Sequence, residues 1–251
     1  MIVSTPGLVL HTTPYGDTSV VAKVFTRQLG VRSYIIKGVR GPRGRVKQNL
    51  LQPLSSIDMV VYDNPKSDLN YIKELSPRNP LPTTHYPLPT QNALRFFMTE
   101  VLYRTLREEE PMPELFDYVE SSELGVRSSE LSNTASCDEP RMPNPNVTLP
   151  IRFLLTVAHH LGIGPLDNYS RREPFFDLQE GRYMGAPSET TLSPSLSLML
   201  HEYLSNPRFA ISMLNDRRAM LDALIAYYQL HLSGFRHFHS HEILHTILKQ
   251  Q

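Results

Sequence analysis

The sequence predicts a mixed α+β protein: a small closed β-barrel over residues 1–80, followed by an all-α helical domain over 81–251. Three observations carry this. Apolar residues alternate with period 2 in roughly the first 75 positions. The period changes to 3.6 beyond residue 90. A proline-rich stretch, 77–90, lies between the two regimes.

Five short runs read as strands. Gly7–His11 is short and apolar. Ser19–Thr26 (SVVAKVFT) is β-branched, with Val20, Ala22 and Val24 alternating against Val21, Lys23 and Phe25. Gln28-Leu29-Gly30 is a turn, and Val31–Ile36 follows at hairpin spacing. Ile57–Tyr62 and Leu69–Leu75 flank a second turn, Asp63-Asn64-Pro65-Lys66-Ser67. Five short strands in so few residues fit a closed barrel of the OB type, which removes the open edges that an isolated sheet would present.

Residues 77–90 (PRNPLPTTHYPLPT) hold five prolines in fourteen positions, a stiff linker expected neither to continue a sheet nor to start a helix. Leu94, Phe97, Met98, Val101, Leu102 and Leu106 then share one helical face. Leu115, Phe116 and Val119 begin another helix. Residues 121–149 are rich in Ser, Asn and Pro and read as a fraying helix and a loose loop. Ile151, Leu154, Leu155 and Ala158 form a stripe that stops at Gly162. Helices are expected over 194–204 and 208–232, and a last one from an N-cap at Ser240 through Ile243, Leu244, Ile247 and Leu248.

The composition is that of a globular chain, 40% apolar and 20% charged over 251 residues. Its zero net charge hides an asymmetry. Residues 1–80 carry 11 Lys and Arg against 5 Asp and Glu, and the remainder carries 14 against 20. A basic segment followed by an acidic one points to a polyanion for the first. The single cysteine, Cys137, excludes an internal disulfide and a thiolate zinc site. The N-terminus has no basic n-region, and no apolar run approaches the roughly 20 residues that span a bilayer. A cytoplasmic protein with no membrane partner is expected.

The strongest local signal is Lys37-Gly38-Val39-Arg40-Gly41-Pro42-Arg43-Gly44-Arg45-Val46-Lys47, with five bases and no acid. Three glycines and a proline keep it from being a helix. Glycines let backbone approach a sugar-phosphate chain, and guanidinium forks grip phosphate oxygens. The alternative, a solvated loop without a partner, leaves like charges crowded together uncompensated. A P-loop is excluded, since no Gly-Lys-Ser/Thr ending or helix follows. The expected DNA-binding residues are therefore Lys37, Arg40, Arg43, Arg45 and Lys47. Arg27 and Arg32 beside the first hairpin could extend the phosphate track or be solvated turn charges. Tyr15, Phe25 and Tyr34 lie close by in sequence and could stack on bases, although core packing is the better reading for each.

His237, His239, His241 and His245 cluster near the C-terminus, and the last two are spaced i, i+4. No HExxH motif or third ligand at a recognised spacing accompanies them. His159 and His160 read as packing or surface residues. No GxSxG, paired-carboxylate or GxGxxG pattern occurs, so neither enzymatic activity, nor a cofactor, nor a bound metal is expected.

Taken in order, several segments resemble the RecO family of bacterial recombination mediators. They are Gly7–Leu10, Pro14–Ser19, Val24–Thr26 with Gly30, Lys37–Arg40 with Arg43 and Arg45, and Leu51–Leu54. The resemblance continues in Leu161–Pro165, Phe176–Gly181, Tyr227–Phe235 and Ser240–Leu244. It implies an OB barrel and a helical domain that bind single- and double-stranded DNA and anneal complementary strands. It also implies partnership with RecR and with the acidic C-terminal tail of single-stranded-DNA-binding protein, and loading of RecA onto gapped DNA. Many members carry a four-cysteine zinc module after the segment matching Leu161–Pro165, whereas Asn168–Pro194 contains no cysteine. Two rival classes follow from the residues: an RNA-binding or translation-associated OB protein, and a hydrolase using the C-terminal histidines.

Overall fold

The computed structural model of the chain describes residues 1–40, 48–64, 66–78, 88–107, 110–123, 145–206, 209, 213–235 and 238–240. Two compact units divide it, Met1–Cys137 and Asp138–Gln251.

In the first unit, β1 (Ile2–Tyr15), β2 (Ser19–Thr26), β3 (Gly30–Ile36), β4 (Ser56–Tyr62) and β5 (Asn70–Pro77) close into a barrel in the order β1-β2-β3-β5-β4. The β3–β5 pair is parallel and closes the ring, and the other pairs are antiparallel. β1 is far longer than its apolar centre suggests. It serves two neighbours, pairing Ile2–Leu8 with β4 and Gly7–Tyr15 with β2, with a register shift between Val9 and His11. Polar flanks suffice there because ladder hydrogen bonds, rather than apolar burial, hold them.

The structure decides which set of the β2 alternation faces inward: Val20, Ala22 and Val24 join Val9, Tyr34, Ile36, Ile57, Met59 and Val61 in the barrel core. On the outer face of β1 and β2 lie two helices, α1 (Leu88–Thr105) and α2 (Pro113–Glu123). Phe25 meets Phe116 edge-on at 5.5 Å, and Tyr103 lies 5.3 Å from the His11 ring. Glu120 accepts from Ser56 (2.7 Å) and from Arg78 (2.9 Å), which also donates to Asp58. Gly30 is required at the β2–β3 turn, since its φ is +68° and a Cβ would meet the Glu110 backbone at 2.6 Å.

The proline segment departs from expectation at both described ends. Pro77 is the last residue of β5, and Pro89 lies in the first turn of α1. Proline lacks only an N–H, and that loss is harmless at a strand end or among the unpaired amides of a helix's first turn. Of the stretch 121–149, expected as a fraying helix and a loose loop, α2 continues to Glu123, and α3 (Pro145–His160) already begins at Pro145, where loop was expected. Between them, 124–144 lies outside the described residues.

In the second unit, α3, α4 (Pro194–Ser205) and α5 (Leu214–His231) carry the core. Ile151, Phe153, Leu154, Val157 and Ala158 of α3 are buried, with Leu155 only half so. Tyr228 of α5 donates to the Leu154 carbonyl at 2.6 Å. Ser193 caps α4, accepting from the Leu196 amide. A two-stranded hairpin, β6 (Phe175–Asp177) and β7 (Arg182–Met184), adds to the helices and was not foreseen from the sequence. Its strands are three residues each, too short for a period to register. The helix expected after Ser240 lies outside the described residues. Among the described residues, no helix is long and apolar enough to cross a membrane.

Candidate nucleic-acid interface

Lys37 and Arg40 are exposed on the connection leaving β3. Between them Gly38 turns with φ +74°, a conformation that favours glycine, and Val39 is buried in the barrel core. The Arg40 amide donates to the Thr18 carbonyl (3.0 Å), and its Nη1 donates to the Gly16 carbonyl (3.2 Å). The basic segment thus leaves the barrel beside the β1–β2 turn. On the returning side Leu51 and Leu54 are buried, and the Leu54 amide donates to Val9 (2.7 Å). Leu54 adopts φ 57°, a costly conformation for leucine that its burial compensates. Both described ends of the segment are therefore anchored by apolar side chains. Arg43, Arg45 and Lys47 lie outside the described residues.

Arg27 and Arg32 each lie beside a carboxylate. Arg27 forms a two-pronged pair with Asp117 of α2, both contacts 2.8 Å. That hydrogen bond holds the Asp117 carboxyl below its ordinary range. Arg32 is largely buried, with Nη2 4.0 Å from the buried carboxylate of Asp63. A phosphate would have to compete with a carboxylate at either position.

Phe25 and Tyr34 are fully buried core residues, and burial pushes the Tyr34 hydroxyl well above its usual range, reinforced by Asp63. Tyr15 is exposed. Two further exposed tyrosines, Tyr62 and Tyr71, face each other across β4 and β5. Sequence reasoning missed them, although strand alternation offered a signal for the first: in β4, Tyr62 falls out of phase with the inward Ile57, Met59 and Val61. Lys37 Nζ lies 5.7 Å from the Tyr71 ring centroid. These residues line a cleft of about 550 Å³.

The zinc-module segment has a different organisation. Asp177, at the end of β6, is buried and accepts from the amides of Gln179 and Glu180 (both 2.9 Å) and from Thr190 Oγ1 (3.0 Å). Ser188 Oγ also donates to it. Burial alone would raise this carboxyl's pKa, but the hydrogen bonds outweigh it and hold the group below its ordinary range. The donor set is one carboxylate ringed by hydroxyls and amides, with no thiolate, so it does not fit the family's zinc. Among the described residues, no three His, Cys, Asp or Glu converge as metal ligands. His159 and His160 are ring neighbours on α3 at 5.9 Å. His237, His241 and His245 lie outside the described residues.

Residues 1–81 match the family model described as "Recombination protein O N terminal". The chain is similar to DNA repair protein RecO of Phocaeicola vulgatus, at 30% identity over 97% of this chain and 98% of that protein. It is similar to DNA repair protein RecO of Bacteroides fragilis at 28% identity over 97% and 98%, and to that of Christiangramia forsetii at 25% over 98% and 99%.

Proposed function

The chain belongs to the RecO family of DNA repair proteins, and from that premise we propose that it is a non-enzymatic recombination mediator that binds single- and double-stranded DNA through the basic segment after β3. The observation that carries the proposal is the exposure of Lys37 and Arg40 on a segment anchored in the barrel core by Val39 on one side and Leu51 on the other. The anchored residues present these cations at a defined place, and Gly38 between them has open space around it for a backbone to approach.

Annealing requires no covalent chemistry. Neutralising phosphates on two strands lowers their repulsion, and base pairing then brings them together. The proposal includes the family's partners, RecR and the acidic tail of single-stranded-DNA-binding protein, and delivery of RecA to gapped DNA in the cytoplasm. The helical region is the proposed receptor for that tail. Its 13 arginines between residues 81 and 251, against the lone Lys249, supply guanidinium forks for a terminal carboxylate. We keep 1–80 as the DNA-binding domain and 81–251 as the helical domain, with Arg27 and Arg32 at the margin of the phosphate track.

A salt titration tests the DNA reading. If Lys37, Arg40, Arg43, Arg45 and Lys47 all contact single-stranded phosphates, log K falls against log salt with a slope of about −3.5 from this segment. Replacing Arg40, Arg43 and Arg45 with Ala flattens the slope by roughly 2 and weakens all sequences alike, because phosphates carry no base identity. An unchanged slope in a folded triple variant would move the DNA elsewhere.

A further inference from the structure

Resting on that DNA reading, we propose that the outer face of β4, β5 and β3 is a stacking site for unpaired bases of single-stranded DNA, formed by Tyr62 and Tyr71 with Lys37 and Lys73 at its rim. The strand registers place four residues in one row across the barrel. Ile2 pairs with Tyr62, Tyr62 with Tyr71, and Tyr71 with Ile35. Residues directly opposite in a sheet project to the same face, so this row is an apolar strip, exposed at Ile2, Tyr62 and Tyr71 and buried at its Ile35 end. Ile2, Tyr62 and Tyr71 are 58%, 47% and 49% exposed, where a solvated sheet face ordinarily carries polar side chains.

The two outer faces of the barrel differ in a way that matters here. Over β1 and β2, aromatic side chains meet helix: Phe25 with Phe116, and His11 and Lys23 with Tyr103. On β4 and β5 the two tyrosines instead border the 550 Å³ cleft, with Lys37 over Tyr71. That volume lies within the range of small-molecule sites, ample for a flat base.

Charge identifies the occupant. Lys37 and Lys73 are the charged residues lining the cleft, and both are cations. Lys73 pairs with Glu74 at 3.4 Å, but both ends are well exposed, so a phosphate can exchange for the carboxylate. Lys37 belongs to the basic segment and lies over Tyr71, so a strand whose phosphate is held at Lys37 reaches the tyrosines within neighbouring nucleotides. A duplex keeps its base faces stacked internally and has none to offer, so the cleft favours single strands.

The test uses the full-length chain. Tyr62→Ala and Tyr71→Ala should each weaken binding to a single-stranded oligonucleotide about 5- to 150-fold, the effect of losing one stacked base, while duplex affinity changes less than about twofold. Tyr71→Phe should retain wild-type binding. The chain has no tryptophan, so Tyr71→Trp places a single reporter in the cleft. Single strands should quench its emission and duplex should not, a readout independent of whether an alanine variant folds. Folded alanine variants that bind single strands as wild type does, or that lose single strands and duplex equally, would overturn the proposal, and the strip would then pass to a protein partner. Those results leave the DNA reading intact. That reading fails separately, if wild type binds neither form or the triple arginine variant keeps its affinity.

Discussion

The connection that leaves β3 and the connection between α3 and α4 both read as loops in the sequence, and both hold charged side chains among Gly, Pro and Ser. Their charges are treated in opposite ways. After β3, the apolar Val39 is buried, and Lys37 and Arg40 stand in solvent. Between α3 and α4, the charge itself goes inside. Asp177 is 3% exposed and surrounded by hydroxyl and amide donors that hold β6, β7 and residues 188–191 together. An exposed charge contributes little to folding and stays available to a partner. A buried, fully bonded charge stabilises the fold and is lost to any ligand. In this chain a buried carboxylate knots the region between α3 and α4.

The largest effect that would sharpen this contrast comes from the Arg40, Arg43 and Arg45 triple alanine variant. Three lost phosphate contacts correspond to about a hundredfold loss of single-strand affinity at roughly 0.1 M salt. Its stability should stay within about 0.5 kcal/mol of wild type. Binding isotherms and thermal melts check both arms, and a large drop in melting temperature would break the comparison.

Asp177→Asn should do the reverse. It removes the carboxylate from its buried donors and should cost about 1–3 kcal/mol of stability, while DNA affinity stays at the wild-type value. Denaturant unfolding measures the first and the same titration the second. A metal chelator should leave the wild-type melt unchanged, because the donor set around Asp177 does not suit zinc.

Acid should reproduce part of the Asp177 effect. The folded-state pKa of Asp177 lies below the ordinary aspartate value of the unfolded chain, so its contribution is fully present above that ordinary value. It is lost as pH falls through the lower, folded-state pKa. The stability difference between wild type and Asp177→Asn should therefore narrow below about pH 4. A difference that stays constant through acid would show that the substitution acts through packing rather than charge.

The smallest effect concerns Arg27. Its pair with Asp117 is half exposed and should contribute about 0.2–1 kcal/mol. Asp117→Ala releases the guanidinium. If Arg27 belongs to the phosphate track, this variant should steepen the salt slope by about 0.7, one additional contact. No change in slope would remove Arg27 from the track.

The sequence by itself determined the barrel and the period of its strands. Inward positions of a closed sheet have no water, so Val20, Ala22 and Val24 must be apolar at every second residue, and that period is readable locally. It also determined the basic segment, because five cations without an acid are visible in eleven adjacent letters. Tertiary structure decided what those letters left open. Phe25 and Tyr71 are alike in sequence as aromatic strand residues, but α2 covers the first and leaves the second exposed. Arg27 resembles Arg40 until Asp117, ninety positions away, folds beside it. Asp177 acquires its hydroxyl partners from residues 11 to 14 positions further on. A residue's charge and polarity are written in its own side chain, whereas its desolvation and its partners depend on which distant segment comes to lie against it, and these set its energetic role.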